Sequence, residues 1–177
     1  QPQRVSSLIA ERDVDAVIAM GYLGRGRQIE FESFAYNVLD NDTPDLLGYL
    51  GHGRPIIEEA PDRYRTTLPI ELMRQCADEA LKGGAVDDPI KISTNAGVVG
   101  CNLAFFSVMD AVSRRAAVRN EPVIPAGFIH VPRAPEQLTR NEDRSAYMPF
   151  DEIVRGVRAS IQAVASTLHR DLTKPPD

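Results

Sequence analysis

Apolar residues recur along this chain with two alternating periods, and the alternation sets out an order of helices and strands. Residues 5–12 carry a helical pattern and run into a short apolar stretch at residues 15–20, closed by Gly21, which predicts a buried strand. Residues 29–36 alternate apolar and polar as a half-exposed strand does, so Glu30 and Glu32 are expected on one face. Residues 37–67 are rich in Asp, Gly and Pro and predict a long loop. An amphipathic helix follows over residues 70–82, stopped by Gly83 and Gly84. Residues 89–93 predict a short strand, residues 95–100 a turn, and a second helix runs from Cys101 to about Val118 with Leu103, Phe106, Met109, Ala111 and Val112 turned inward. Residues 123–131 predict an apolar strand ending at Pro132. The last helix covers residues 150–169, where Ile153, Val157, Ile161, Val164 and Leu168 recur at helical spacing. Strands and helices alternating at these lengths predict an α/β fold: a single three-layer α/β/α domain over residues 1–177 with a mostly parallel sheet, frayed from about residue 171.

The bulk numbers narrow the function. With 43% hydrophobic and 25% charged residues, the balance is that of a globular core and not of a disordered chain. The formal charge is −5 and the basic residues are scattered among acids, which excludes a phosphate-binding surface for nucleic acid. No apolar run approaches the roughly 20 residues that span a bilayer, and the first residues lack the apolar core of a secretory signal. No membrane partner is expected, and a cytoplasmic location is. The two cysteines, Cys76 and Cys101, show no CxxC or paired-His spacing, so neither a disulfide framework nor a metal site is expected. The glycine-rich residues 21–27 lack both the Lys-Ser/Thr of a phosphate-binding loop and the GxGxxG spacing, so they are read as an ordinary loop.

In an open α/β sheet, sites form beyond the carboxyl ends of strands. Three candidates fall there. Cys101 sits in the first turn of a helix that follows a glycine-bearing turn, where backbone N–H groups and the helix dipole favour a thiolate. Cys76, among Met73, Ala77 and Ala80 inside a helix, reads as core packing. His130 ends a strand just before a proline, whereas His52 and His169 have no such setting. Glu32 could orient an imidazole and stabilise its cation, and Glu30 competes for that role on the same face. Each has an ordinary alternative: a core thiol, a structural histidine, a solvated strand-face charge.

Three stretches resemble the pyroglutamyl peptidase I family of cysteine peptidases. Residues 29–37 are similar to its I-x-x-E-x-x-A-x-N pattern, residues 93–102 to S-x-x-A-G-x-x-x-C-N, and residues 127–132 to G-F-I-H-V-P. Weaker similarity at residues 67–69 and 148–156 extends the likeness over most of the chain. The resemblance implies a hydrolase, a thiol protease that releases an amino-terminal pyroglutamyl residue from peptides blocked at that end. It gives the catalytic roles to Cys101, His130 and Glu32, setting Glu30 aside. It implies no metal or organic cofactor, and a homo-oligomer of identical subunits.

Departures from the pattern bear on specificity. The family begins with a strand and a Phe-Gly-Gly loop that have no counterpart here, so a fragment lacking the first strand is expected. Tyr22 stands where the family has Gln, Asp42 for an Arg, Thr43 for an Ile, and Val99 for an aromatic residue. Tyr22, Thr43 and Val99 are the expected substrate-binding positions. Two other readings follow from the altered pocket: a cysteine amidase for another small acyl group, or a catalytically silent binding protein.

Overall fold

The computed structural model describes residues 2–24, 26–42, 50–137 and 147–172, with side chains as far as residue 168. Arg25 and Thr43 lie outside the described residues, as do residues 173–177 of the tail expected to fray from about residue 171, whose first two residues are helical. The elements run α1 (Pro2–Glu11), β1 (Val17–Tyr22), β2 (Ile29–Glu32), β3 (Phe34–Tyr36), β4 (Arg63–Arg65), α2 (Ile70–Leu81), β5 (Ile90–Ser93), α3 (Gly100–Arg119), β6 (Ala126–Val131), a 3-10 turn at Pro135–Gln137, and α4 (Phe150–Leu172). A mostly parallel four-stranded sheet has the order β1-β6-β2-β5, and β3 and β4 form a separate antiparallel ribbon. The expected α/β architecture is therefore present.

Residues 29–36 are not one half-exposed strand. All four residues of β2 are buried, as in parallel sheets covered on both faces, and the chain changes sheets at Ser33. There the backbone N–H donates to Ser93 O at 2.7 Å, while the carbonyl accepts from Thr66 N at 2.9 Å. One residue thus serves two ladders, and the alternating pattern conceals the break. The described residues of the segment after it include β4 and a bridge between Leu39 and Arg54, which the expectation of a long loop does not contain. Strand β6 starts at Ala126 and not at residue 123, since Pro125 has no N–H to give a ladder. Ile161 and Leu103 also differ from expectation: Ile161 is 45% exposed and Leu103 only half-buried.

Packing sorts the chain into two compact units: Gln1–Ala19, Glu32–Thr67 and Ser93–Phe128 form the first, and Met20–Phe31, Leu68–Ile92 and Ile129–Asp177 the second. In the second, α2 lies against α4. At Gly156 of α4 a Cβ would stand 2.6 Å from Ile29 Cδ1 of β2 and 3.0 Å from Leu81 Cδ1 of α2. In the first, α1 lies against α3, and Phe105, Phe106, Met109, Val112 and Phe128 build the core.

Tyr64 packs on Phe106 with ring centroids 5.1 Å apart and donates its hydroxyl to the buried Asp110 carboxylate at 3.0 Å, which Arg114 Nε meets from the other side at 2.7 Å. Burial, then the hydrogen bond to Asp110 and its negative charge, push the Tyr64 hydroxyl from 10.0 up to about 12. The fold favours the neutral phenol. Its stabilising effect is complete below the unfolded value near 10 and is lost as pH rises from there through about 12. The stability difference between the parent chain and Tyr64→Phe, measured by urea unfolding at pH values spanning that window, is expected to shrink as pH rises. A difference independent of pH would contradict the assignment.

Candidate active site

Three strand ends and one helix start supply the candidate residues. Helix α3 begins with Gly100-Cys101 directly after an Asx turn, in which Asn95 Oδ1 accepts from Gly97 N at 2.8 Å and Gly97 takes a φ of 84°. A residue with a side chain is strained at that angle, which explains the glycine. The helix starts at Val99, its N-cap, without any side-chain capping bond. Its first N–H groups are therefore not consumed by a cap and, with the positive end of the helix dipole, can stabilise negative charge on sulfur or oxygen. Cys101 is half-buried and unpaired by any disulfide, so its thiol is neither sealed in the core nor fully in water. Cys76 is also a free, half-buried thiol, on the regular helix α2, rather than the core residue its neighbours suggest.

Beside this helix start runs the segment that leaves β3, and Asn102 holds it there. The Asn102 side chain is wholly buried. Its Nδ2 donates to Tyr36 O at 2.8 Å and to Val38 O at 2.9 Å, and its Oδ1 accepts from Tyr36 N at 2.9 Å. The next turn is tied as well, because Asp40 N donates to Val98 O at 2.8 Å. Asn37 repeats the device one step away: its Oδ1 accepts from Ile57 N at 3.0 Å, and its Nδ2 donates to Ile57 O at 2.8 Å and Ala60 O at 3.2 Å. Both asparagines belong to the sequence patterns that drew attention to Cys101 and Glu32, yet pattern reading gave them no role. The signal was present, since an amide beside an apolar helix face is expected to serve backbone groups.

Asn102→Leu takes the side-chain partner from Tyr36 N and from Val38 O, all part-buried, and one of two donors from Tyr36 O, which keeps Val38 N. It is expected to cost about 2–4 kcal/mol in chemical denaturation, and to release the segment that carries Asp40 and Asp42. A loss within about 0.5 kcal/mol, the ordinary scatter of surface changes, would argue against the clamp.

Glu32 is the last residue of β2, 1% exposed, and belongs with Cys101 to the first unit. The strand end it occupies lies against the end of β5, through Ser33 N and Ser93 O, eight residues before Cys101. His130, 4% exposed, is the next-to-last residue of β6 and belongs to the second unit. Glu30, the rival carboxylate, is committed elsewhere: Lys91 Nζ donates to its Oε1 at 3.0 Å. Of the expected substrate positions, Tyr22 ends β1 at 45% exposure with the Arg133 guanidinium 5.4 Å over its ring, and Val99 is 50% exposed at the start of α3. Thr43 lies outside the described residues.

Comparison with known proteins gives this geometry a context. A family model described as pyroglutamyl peptidase matches residues 3–167. The pyrrolidone-carboxylate peptidase of Pseudomonas fluorescens is 34% identical over 165 residues, covering 93% of this chain and 70% of that protein. The protein of the same name from Treponema denticola is 29% identical over 91% of this chain and 70% of its own length. Among solved structures, pyroglutamyl peptidase I from Bacillus amyloliquefaciens superposes with a TM-score of 0.77 at 28% identity, covering 93% of this chain and 72% of that one. Pyrrolidone carboxyl peptidase from Thermococcus litoralis gives 0.79 at 25% identity, covering 99% and 78%.

Proposed function

Because the chain belongs to the pyroglutamyl peptidase family, we propose that residues 1–177 act as one cysteine-peptidase domain that releases an amino-terminal pyroglutamyl residue from peptides, with Cys101 as nucleophile, His130 as its base and Glu32 as the group orienting that base. The observation that carries the reading is Cys101 itself, a half-buried free thiol in the first turn of a helix with no side-chain cap. Adjoining strand ends support it. Within the first unit, Glu32 ends β2 and the turn leading to Cys101 follows β5, the two strand ends being joined through Ser33 N and Ser93 O.

In this mechanism His130 takes the Cys101 proton, and the thiolate adds to the carbonyl carbon of the pyroglutamyl residue. The negative charge that develops on the carbonyl oxygen is met by N–H groups at the start of α3. The C–N bond breaks as His130 gives its proton to the departing amine. Water then adds to the thioester, giving free pyroglutamate and restoring the thiol. No step calls on a metal or an organic cofactor. The same proposal includes a cytoplasmic location and an assembly of identical subunits. Among the described residues no helix is long and apolar enough to cross a membrane.

A second reading is favoured by particular residues. Asp42 stands where the family resemblance leads to Arg, and Tyr22 where it leads to Gln, so an acyl group other than pyroglutamyl could fill the pocket. Fluorogenic amides separate the two. Release from pyroglutamyl amide, above release from a panel of other acyl amides, supports the peptidase. Release only from another amide selects the amidase. No turnover, together with a Cys101 that iodoacetamide does not alkylate, would sink both.

A further inference from the structure

The ribbon of β3 and β4 has one face turned into the first unit and one turned out. Its register sets Phe34 opposite Arg65, Ala35 opposite Tyr64 and Tyr36 opposite Arg63, and residues directly opposed in an antiparallel pair share a face. Ala35 is fully buried and Tyr64 reaches Phe106 and Asp110 of α3, so that pair lies on the inner face. Phe34, Tyr36, Arg63 and Arg65 therefore form the outer one, by the alternation of side chains along a strand. The two aromatic rings are half-buried and stand 6.4 Å apart, while both arginines are exposed.

The chain carries a formal charge of −5, yet among the described residues Arg63 and Arg65 make no ion pair. The Arg63 guanidinium lies 4.9 Å over the Phe34 ring, a cation–π contact that holds the head without neutralising it. An arginine held this way loses less freedom when it takes a carboxylate, which its planar fork meets with two parallel N–H groups. The face also adjoins the proposed chemistry. Strand β3 starts two residues after Glu32, and its last residue, Tyr36, is bound through backbone N–H and C=O to the side chain of Asn102, next to Cys101. Each strand of the ribbon has three residues, a span of roughly 10 Å at about 3.3 Å per residue, which matches three residues of extended peptide.

We propose that the outer face of this ribbon binds the leaving part of the peptide substrate and selects tails with Asp or Glu among the first residues after the pyroglutamyl group. This deepens the reading of Cys101 as a peptidase nucleophile and rests on it. Charge complementarity chooses the occupant, because two unpaired guanidinium groups favour carboxylates and disfavour Lys or Arg. Net charge alone predicts the opposite, since a chain at −5 attracts basic peptides at long range. Contact wins over that field at physiological salt, where charges more than about 8 Å apart are largely screened. Each exposed pair is weak, so two of them give about a three- to tenfold preference. The preference falls on KM, because the tail is held equally before and during bond breaking.

Pyroglutamyl-Ala peptides ending in three Glu, three Ser or three Lys share one leaving amine, and their steady-state kinetics are the test. KM is expected to rise about three- to tenfold from the Glu peptide to the Lys peptide with kcat little changed, and the difference should shrink as salt is raised. Arg63→Glu with Arg65→Glu should reverse the order, whereas Arg63→Lys with Arg65→Lys, which keeps the charge, should preserve it. Circular dichroism confirms that both double variants are folded. A parent chain that treats the peptides alike or favours Lys overturns the proposal. So does a glutamate variant that keeps the parent order, or a lysine variant that behaves as the glutamate one. Turnover of a pyroglutamyl amide, which has no tail, tests the catalytic reading by itself. If that turnover is absent, fluorescence anisotropy of the same peptides, labelled at the carboxyl end, still decides the ribbon: tighter binding of the Glu peptide supports it, and equal binding or tighter binding of the Lys peptide overturns it.

Discussion

Cys101→Ala is expected to lower kcat/KM for a pyroglutamyl amide by about 10⁴-fold or more while leaving the folded state intact, because removing the nucleophile of a covalent mechanism deletes the step and not merely a contact. The folding cost is small. The thiol is half-buried and makes no disulfide, so alanine removes one sulfur from a partly wetted position at the end of a helix. Cys76→Ala is the matching control, since its thiol is also free and half-buried but sits on a regular helix. Steady-state kinetics of the two variants, with thermal unfolding to confirm the fold, decide the matter. Full activity in Cys101→Ala would remove the proposed chemistry altogether. Equal losses in both variants would point to a structural effect of thiols in general.

The elements that decide the site were legible where one physical rule acted alone. The turn into α3 was readable because Gly97 takes a positive φ that side chains resist, and the end of α2 because Gly83 does the same at 74°. Residues 29–36 were misread as one half-exposed strand because alternation was taken to mean solvent on one face. Glu30 is polar yet buried, made tolerable by Lys91, and Ser33 divides its backbone bonds between two sheets. Neither partner is visible in a local pattern, since Lys91 and Thr66 lie far along the chain. The clamps made by Asn37 and Asn102 escaped for the same reason. A residue type announces that a backbone group will be served, but only the fold says which one.

That separation between Glu30 and Glu32 leads to the second large effect. Glu32→Gln is expected to lower kcat by about 10²–10⁴-fold, whereas Glu30→Gln changes it by less than about threefold. Both substitutions keep shape and remove charge, and the two residues sit two apart on one buried strand, so a general disturbance of β2 would harm both variants alike. Their surroundings differ. Glu30 answers an ammonium group that is itself half in water, so its charge already has a partner other than the imidazole. Glu32 ends its strand, beside the strand end that leads to Cys101, and in the proposed mechanism it holds the imidazole in one tautomer and steadies its cation. An amide holds the ring less selectively and brings no charge. The pH profile of kcat/KM therefore carries a second readout: in Glu32→Gln the imidazolium loses its carboxylate, its pKa falls, and the acid limb moves to lower pH. A purely structural carboxylate would lower the unfolding midpoint and leave that limb where it was. Equal activity in the two glutamine variants would transfer the orienting role away from Glu32.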